Sequence, residues 1–522
     1  MDNNLLALIA SFPFLILFVL LIFKRWPAVK ALPITWLLTL LISVFFWNVQ
    51  RIYILSSFVK GILMAMEIML IVFGAVWLLE LVKQTNHMKT IQNFLSNISN
   101  DARVQGIIIG WFFVSLMEGV AGFGTPAAVT APLLVALGFT PLLAVTVTLI
   151  ANSVATTFGA AGTPILLGFG SLGFENQILQ QSANISALIH SIASIIIPLS
   201  IVYIITLQNK KPKSFRSMIP FILFSWLVFS IPYLFVTIFV GPELPSIIAS
   251  IISLVVLSFL AKKKFLLPKN EFIFKKTKAK HVSLKNTISS FMPYIFVISF
   301  LLFTRAFMPL RTLLTSISIS WNNIFGSSVS HSYLPLFTPA FYFLISIIIS
   351  FLFYKTNSKI IFESFKHSVL IVKNAFFALI FAVGLVQLFI VSENNFNDML
   401  GMPMIIANSV GNLFGNFFPF VSPFIGSLGS FISGSNTVSN ILFGLFQSES
   451  AIALGLSIPL ILALQAVGGA VGNMIAIHNV VAASATVGLE NQESSIIKKT
   501  ILVMFVYLAF AGLLGLILMN IF

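Results

Sequence analysis

Apolar positions in this chain fall in unbroken blocks rather than alternating with polar ones. Blocks of about 20 residues, enough to cross a ~30 Å hydrocarbon layer at ~1.5 Å per residue, lie near 4 to 23, 30 to 47, 61 to 81, 140 to 168, 184 to 207, 218 to 240, 245 to 261, 288 to 304, 334 to 354, 368 to 391, 452 to 487 and 500 to 520. Continuous blocks predict spanning helices, because the strands of a membrane barrel would alternate over ~10 residues. The first block has no basic segment before it and no small-residue cleavage site after it, so it is expected to remain as a helix. Two further stretches, 105 to 138 and 402 to 446, are apolar at both ends but broken by Gly, Ser, Thr, Asn and Pro in the middle. Each is long enough to enter the membrane and return. Non-helical backbone at membrane depth survives only where protein buries it or where it lines a wet cavity, so both breaks are candidate sites.

Composition supports the bilayer as solvent: of 522 residues, 58% are apolar and 8% charged, against roughly 25% charged in soluble domains. The formal net charge of +15 does not point to nucleic acid, because the basic residues cluster in short connections, as the positive-inside rule requires. Residues 262 to 285 hold nine Lys against one Glu, and 210 to 216 hold four basic residues and no acid. Placing both in the cytoplasm puts the termini outside and Lys24, Arg25, Lys30 and residues 83 to 103 inside. Only 305 to 331, with Arg305 and Arg311 outside, runs against the rule. The chain has no Cys, which excludes disulfides, thiolate metal sites and cysteine nucleophiles.

The two breaks repeat one plan. Gly162 in "FGAAGTPI" follows Gly124 in "GFGTPAAV" by 38 positions, and Gly472 in "GGAVGNMI" follows Gly434 in "SGSNTVSN" by the same 38. By the loop charges the first hairpin enters from the cytoplasm and the second from outside. The expected fold is therefore an all-α polytopic membrane protein of about twelve transmembrane helices plus two re-entrant hairpins, in an inverted-topology repeat with broken helices. The expected divisions are 1–60, 61–207 (first repeat), 208–367 (intervening helices) and 368–522 (second repeat). Secondary transporters use this plan to aim half-helix ends at a ligand near the midplane. An interruption at Gly122 to Pro126 frees backbone amides to point at a ligand, and Pro126 suits the first turn of the resuming helix.

The stretch "EGVAGFGTPAAVTAPLLVALGFTPLLAVTVTLIANSVATTFGAAGTP" from Glu118 resembles the lactate permease family, as do "RWPAVKALPITW" from Arg25, "GSLGSFISGSNTVSNILFGLFQ" from Gly426 and "QAVGGAVGNMI" from Gln465. The resemblance implies proton-coupled import of lactate or glycolate across the bacterial cytoplasmic (inner) membrane, with no cofactor and no enzymatic activity. The plan is also similar to a wider ion-transporter superfamily, whose likeness implies elevator motion and often a homodimer. The chain departs from the family pattern at Asn436, Asn473, Ile477 and His478, which stand where the pattern has Asp, Lys, Pro and Gln. Joint loss of an acid and a base is what a neutralised ion pair would leave, placing Asn436 and Asn473 face to face. The Ser435-Asn436-Thr437 tip and its missing acid keep a second reading open, a sodium-coupled carrier of another small organic anion.

The candidate substrate contacts are Gly122, Gly124, Thr125, Gly162, Thr163, Ser435, Asn436, Thr437, Asn473 and His478, which supply amides, hydroxyls and an imidazole to a small hydroxy acid. The ordinary alternative for Ser, Thr and Asn is helix capping. Glu118 is the acid nearest a break, and a carboxyl buried in the bilayer suits reversible protonation. Glu67, in the third span, is the reserve for that coupling role, while Glu80 is expected to meet water. Asn152, Ser153, Thr157 and Asn440 are further polar candidates. His190 reads as structural. Gly468 and Gly472 form a G-x-x-x-G that reads equally as packing face or site. No HExxH and no evident triad support an intramembrane enzyme, and "GFGSLG" at Gly168 lacks the parallel-sheet context of a dinucleotide site.

Overall fold

The computed structural model describes residues 3–20, 24, 26–122, 125–208, 213–275, 283–489 and 492–522. Among these, ten helices are long and apolar enough to cross a membrane. Nine coincide with expected spans; the tenth, Ala102–Ala121, is the first arm of the first hairpin and is entirely buried. The three remaining expected spans are shorter helices: near the N-terminus, at Pro339–Tyr354, and at Ile458–Gly472, where the predicted helix is broken.

A scaffold forms around two 34-residue helices, Arg51–Gln84 and Ser358–Val391, which pack together along their length. They run antiparallel: Gly61 meets Gly384, and Trp77 Nε1 donates to Ser364 Oγ at 3.1 Å. A Cβ on Gly61 would stand 3.0 Å from Gly384 Cα, so the glycines set how closely these backbones approach. At the far end Glu80 is buried, contrary to expectation. It pairs with Lys83 at 2.7 Å and His367 at 2.9 Å, which compensates a carboxylate that burial alone would leave costly.

The stretch from 305 to 331, expected to lie outside between two spans, leads into a helix, Met308–Thr315, and a two-stranded antiparallel ribbon, Ile319–Trp321 with His331–Tyr333. Ser56 ties the ribbon to the scaffold by donating to the Ile324 carbonyl at 2.8 Å. Nearer the other face, Arg103 is held almost fully buried by a two-pronged pair with Asp101 (2.6 and 3.0 Å) and donates to the carbonyls of Ser214 and Asn270. It thereby joins two basic connections to the start of the first hairpin.

Candidate functional site

Each hairpin turns where an L side chain is disfavoured. Gly122 ends Val114–Ala121 at φ 58°, ψ −158°, a region open in practice only to glycine, and the second arm, Thr125–Ala136, begins three residues later. Gly434 ends Phe418–Ser433 in the left-handed region at φ 72°. Ser435 then caps Asn436–Leu454, its side chain accepting from the Val438 amide at 3.4 Å.

The helices that follow are broken as expected, by different means. The first, Pro141–Ala155, passes through a tight turn at Thr156–Phe158 and then through three left-handed residues, Ala160, Ala161 and Gly162, before resuming at Pro164. Left-handed alanines cost roughly 1–2 kcal/mol each, so tertiary contacts impose this geometry. Gly162 is obligatory, since a Cβ there would stand 2.5 Å from the Pro242 carbonyl oxygen. The second, Ile458–Gly472, stops and resumes at Ile477–Thr486. Gly468 and Gly472 form a packing face: Cβ atoms there would strike the carbonyls of Pro423 and Ser427 on the first arm of the second hairpin.

Both tips and both breaks line one cavity of about 310 Å³ of empty space, counted to its opening. The first half contributes Glu118, Gly122, Asn152, Thr156, Gly159, Ala160 and Pro164. The second contributes Gly434, Ser435, Asn436, Thr437 and Asn473. Among the described residues Glu118 is the one ionisable side chain on this wall. A Cβ on Gly159 would stand 2.5 Å from Glu118 Oε1, so the missing side chain makes room for the carboxyl. Asn152 and Thr156 flank the carboxyl, while Oε2 has no hydrogen-bond partner among the described residues. Asn152 Oδ1 and Asn436 Oδ1 are likewise buried without a partner. Asn436 Oδ1 is turned against Gly469, whereas Glu118 Oε2 and Asn152 Oδ1, both on residues of the first half, call for a donor, either a proton or the hydroxyl of a bound molecule. The N-terminus of Asn436–Leu454 supplies the positive end of a helix dipole to the same space.

Several predicted residues meet here and others do not. Gly122, Glu118, Ser435, Asn436, Thr437 and Asn473 line the cavity. Asn436 and Asn473 share it but do not bond to each other. Asn436 Nδ2 donates to the Ala466 carbonyl at 3.1 Å, while Asn473 accepts from Asn479 Nδ2 at 2.8 Å. Gly162 and Thr163 sit behind the wall, where the Thr163 hydroxyl donates to the Ala160 carbonyl. Gly124 and the side chains of Thr125 and His478 lie outside the described residues. Glu67 lies away from the cavity, 3.6 Å from His331 of the ribbon. Ser153 bonds within its own helix.

Hydrogen bonds brace the wall from behind. Asn440 Nδ2 donates to the Pro164 carbonyl at 2.9 Å, tying the second hairpin to the first break. Gln465 donates to Ser439 Oγ at 3.0 Å and accepts from Gln447, which accepts in turn from Ser422. His190, fully buried, is bonded at 2.7 Å through both ring nitrogens, to Thr157 and to Tyr507. Thr156 and Gly159 were not among the candidates; their position just before "AAGTP" was the available signal.

Comparison with known proteins is consistent along the chain. The family model described as L-lactate permease matches residues 6–522. A Haemophilus influenzae protein carrying the same family name is 35% identical over 99% of both chains. The L-lactate permease of Halalkalibacterium halodurans is 27% identical over 97% of this chain and 95% of its own. The glycolate permease GlcA of Escherichia coli is 26% identical over 98% and 96%. Among solved structures, the Alcanivorax borkumensis YdaH transporter aligns over 86% of this chain and 85% of its own with 12% identity and a TM-score of 0.44.

Proposed function

The chain belongs to the L-lactate permease family, and from that premise we propose that it imports L-lactate, or a related short 2-hydroxy monocarboxylate such as D-lactate or glycolate, together with protons across the bacterial cytoplasmic membrane. The observation that carries the coupling role is Glu118, a buried carboxyl on the wall where both hairpin tips and both breaks meet, with one oxygen unpartnered. A buried, uncompensated carboxylate costs several kcal/mol; the neutral acid avoids that cost and donates the hydrogen bond its surroundings lack. Among the described residues no cation lines the cavity, and the groups that face it for the substrate carboxylate are the amides at the start of Asn436–Leu454 and the polar side chains of Thr437 and Asn473. One proton moving with one monocarboxylate leaves the cycle electroneutral.

The test is uptake of labelled L-lactate into proteoliposomes holding the purified protein, with proton and sodium gradients imposed separately. Inward protons should drive accumulation, and Glu118→Gln, nearly isosteric but unable to release a proton, should abolish it while keeping the thermal melt. Accumulation driven by sodium alone, or full proton-driven accumulation in Glu118→Gln, would overturn the coupling assignment.

A further inference from the structure

A groove unrelated to the central cavity opens between Asn176–Gln208, in its final segment Ile196–Gln208, and the last helix, Glu493–Leu518. It holds about 1050 Å³ of empty space counted to its mouth. Its walls are two stripes at helical spacing: Ile196, Ser200, Tyr203 and Ile204 on one side, Leu502 and Val506 on the other. Leu502 is 68% exposed and Tyr203 48%, so protein does not cover this face. One end differs in chemistry. Lys498 and Lys499, both exposed, stand beside Gln208, and no acid lines the groove or pairs with either lysine among the described residues. Lys498 lies one turn before Leu502 and two before Val506, so its charge caps the apolar stripe. The chain leaving Gln208 continues into four more basic residues between 210 and 216. The loop-charge orientation puts this end at the cytoplasmic surface.

We propose that this groove binds an anionic phospholipid of the cytoplasmic leaflet, its phosphate between Lys498 and Lys499 and its acyl chains along Ile204, Leu502 and Val506. An apolar trough closed at one end by two cations that pair with no acid among the described residues matches an amphiphile with a negative head, and basic pockets between helices on this side of a bilayer recognise such heads. A second copy of the chain fits poorly, because it would bring lysines against lysines. The lipid would link two helices that both pack on Pro141–Ala155, which carries Asn152 to the cavity wall. At the head end, Gln208 Nε2 donates to the hydroxyl of Thr140, the residue that caps that helix.

The experiment is a thermal melt of the purified full chain in mild detergent, titrated with phosphatidylglycerol, phosphatidylcholine or inorganic phosphate. Phosphatidylglycerol should raise the melting temperature above the phosphatidylcholine value. The double substitution Lys498→Gln, Lys499→Gln should weaken that response by roughly 30-fold in lipid concentration, from an increment of about 1 kcal/mol per lysine, and leave the phosphatidylcholine value unchanged. Val506→Trp, which fills the trough and keeps both lysines, should also weaken it; Ser200→Trp serves if that variant does not fold. Equal effects of the two lipids on the wild type, an undiminished response in the double variant, or a full response to inorganic phosphate alone would overturn the proposal. The readout does not depend on transport, so its failure leaves the lactate reading untouched.

Discussion

Gly159→Ala is the sharpest probe of the cavity, because it perturbs one carboxyl and little else. Gly159 has φ −66° and ψ 155°, a conformation any L-residue adopts, so the new methyl adds no backbone strain. Its carbon would stand 2.5 Å from Glu118 Oε1 and 3.3 Å from Cδ, where ordinary contact begins at 3.4 Å. The carboxyl must therefore retreat by about 0.9 Å, and Asn152 and Thr156 beside it leave little room to do so. Overpacking of this kind costs about 1–3 kcal/mol in stability. A displacement near 1 Å at a reacting group can lower rates by roughly 100-fold, so proton-driven lactate uptake should fall by about 10- to 100-fold. The assay is initial uptake in proteoliposomes at matched protein density, beside a melt that confirms folding. Gly170→Ala is the control: Gly170 is helical, and its added methyl would meet only Leu179 Cδ1 at 3.7 Å. If Gly159→Ala folds and transports at the wild-type rate, Glu118 does not act from this position.

Three further outcomes follow from the same geometry. Arg103→Ala leaves Asp101 buried beside vacated carbonyls and should destabilise the protein by about 3–5 kcal/mol, with Arg103→Lys recovering only part because lysine lacks the planar fork; a melt equal to wild type would refute this. Asn440→Ala removes the donor to the Pro164 carbonyl and should cost about 1–3 kcal/mol, read as a lower denaturation midpoint, whereas an unchanged midpoint means the bond carries no stability. Burial, reinforced by the Lys60 charge, pushes the His331 imidazole down to about 4. The unfolded chain, titrating near ~6.5, therefore takes up the proton first, so stability is fully present above about pH 6.5 and declines as pH falls toward 4. His331→Gln should flatten that decline, and an unaltered slope would exclude His331 as its source.

Much of the site was legible because the bilayer makes interruptions expensive. A Gly, Ser or Asn inside an apolar block needs a reason, and Gly122, Ser435, Asn436, Thr437 and Asn473 all reach the cavity. What could not be read is what tertiary contact decides. Ala160 and Ala161 carry no mark of a left-handed turn, since alanine favours helix; only the crowding of Gly162 against Pro242 shows why the chain turns there. Glu67 and Glu118 look alike as lone acids in apolar helices, but His331 of the ribbon, distant in sequence, stands 3.6 Å from the first and a glycine makes space for the second. The joint loss of an acid and a base against the family pattern put Asn436 and Asn473 face to face, yet within their shared cavity each bonds elsewhere, to the Ala466 carbonyl and to Asn479.

The two antiparallel scaffold helices have a consequence for how the protein sits in its solvent. At ~1.5 Å per residue, 34 residues make a rod ~51 Å long, whereas the hydrocarbon layer is ~30 Å thick. Even the ~40° limit of observed tilts brings its height only to about 39 Å. Each rod must therefore carry about two turns or more of its length in headgroups or water. The residues at its extremities accord with this: Ser56 is bound to the ribbon at one end, and Glu80, Lys83 and His367 form an ion cluster near the other. The ends of this pair therefore meet headgroups or water and not acyl chains, and it is protein, the ribbon at one end and the ion cluster at the other, that must satisfy their polar groups there.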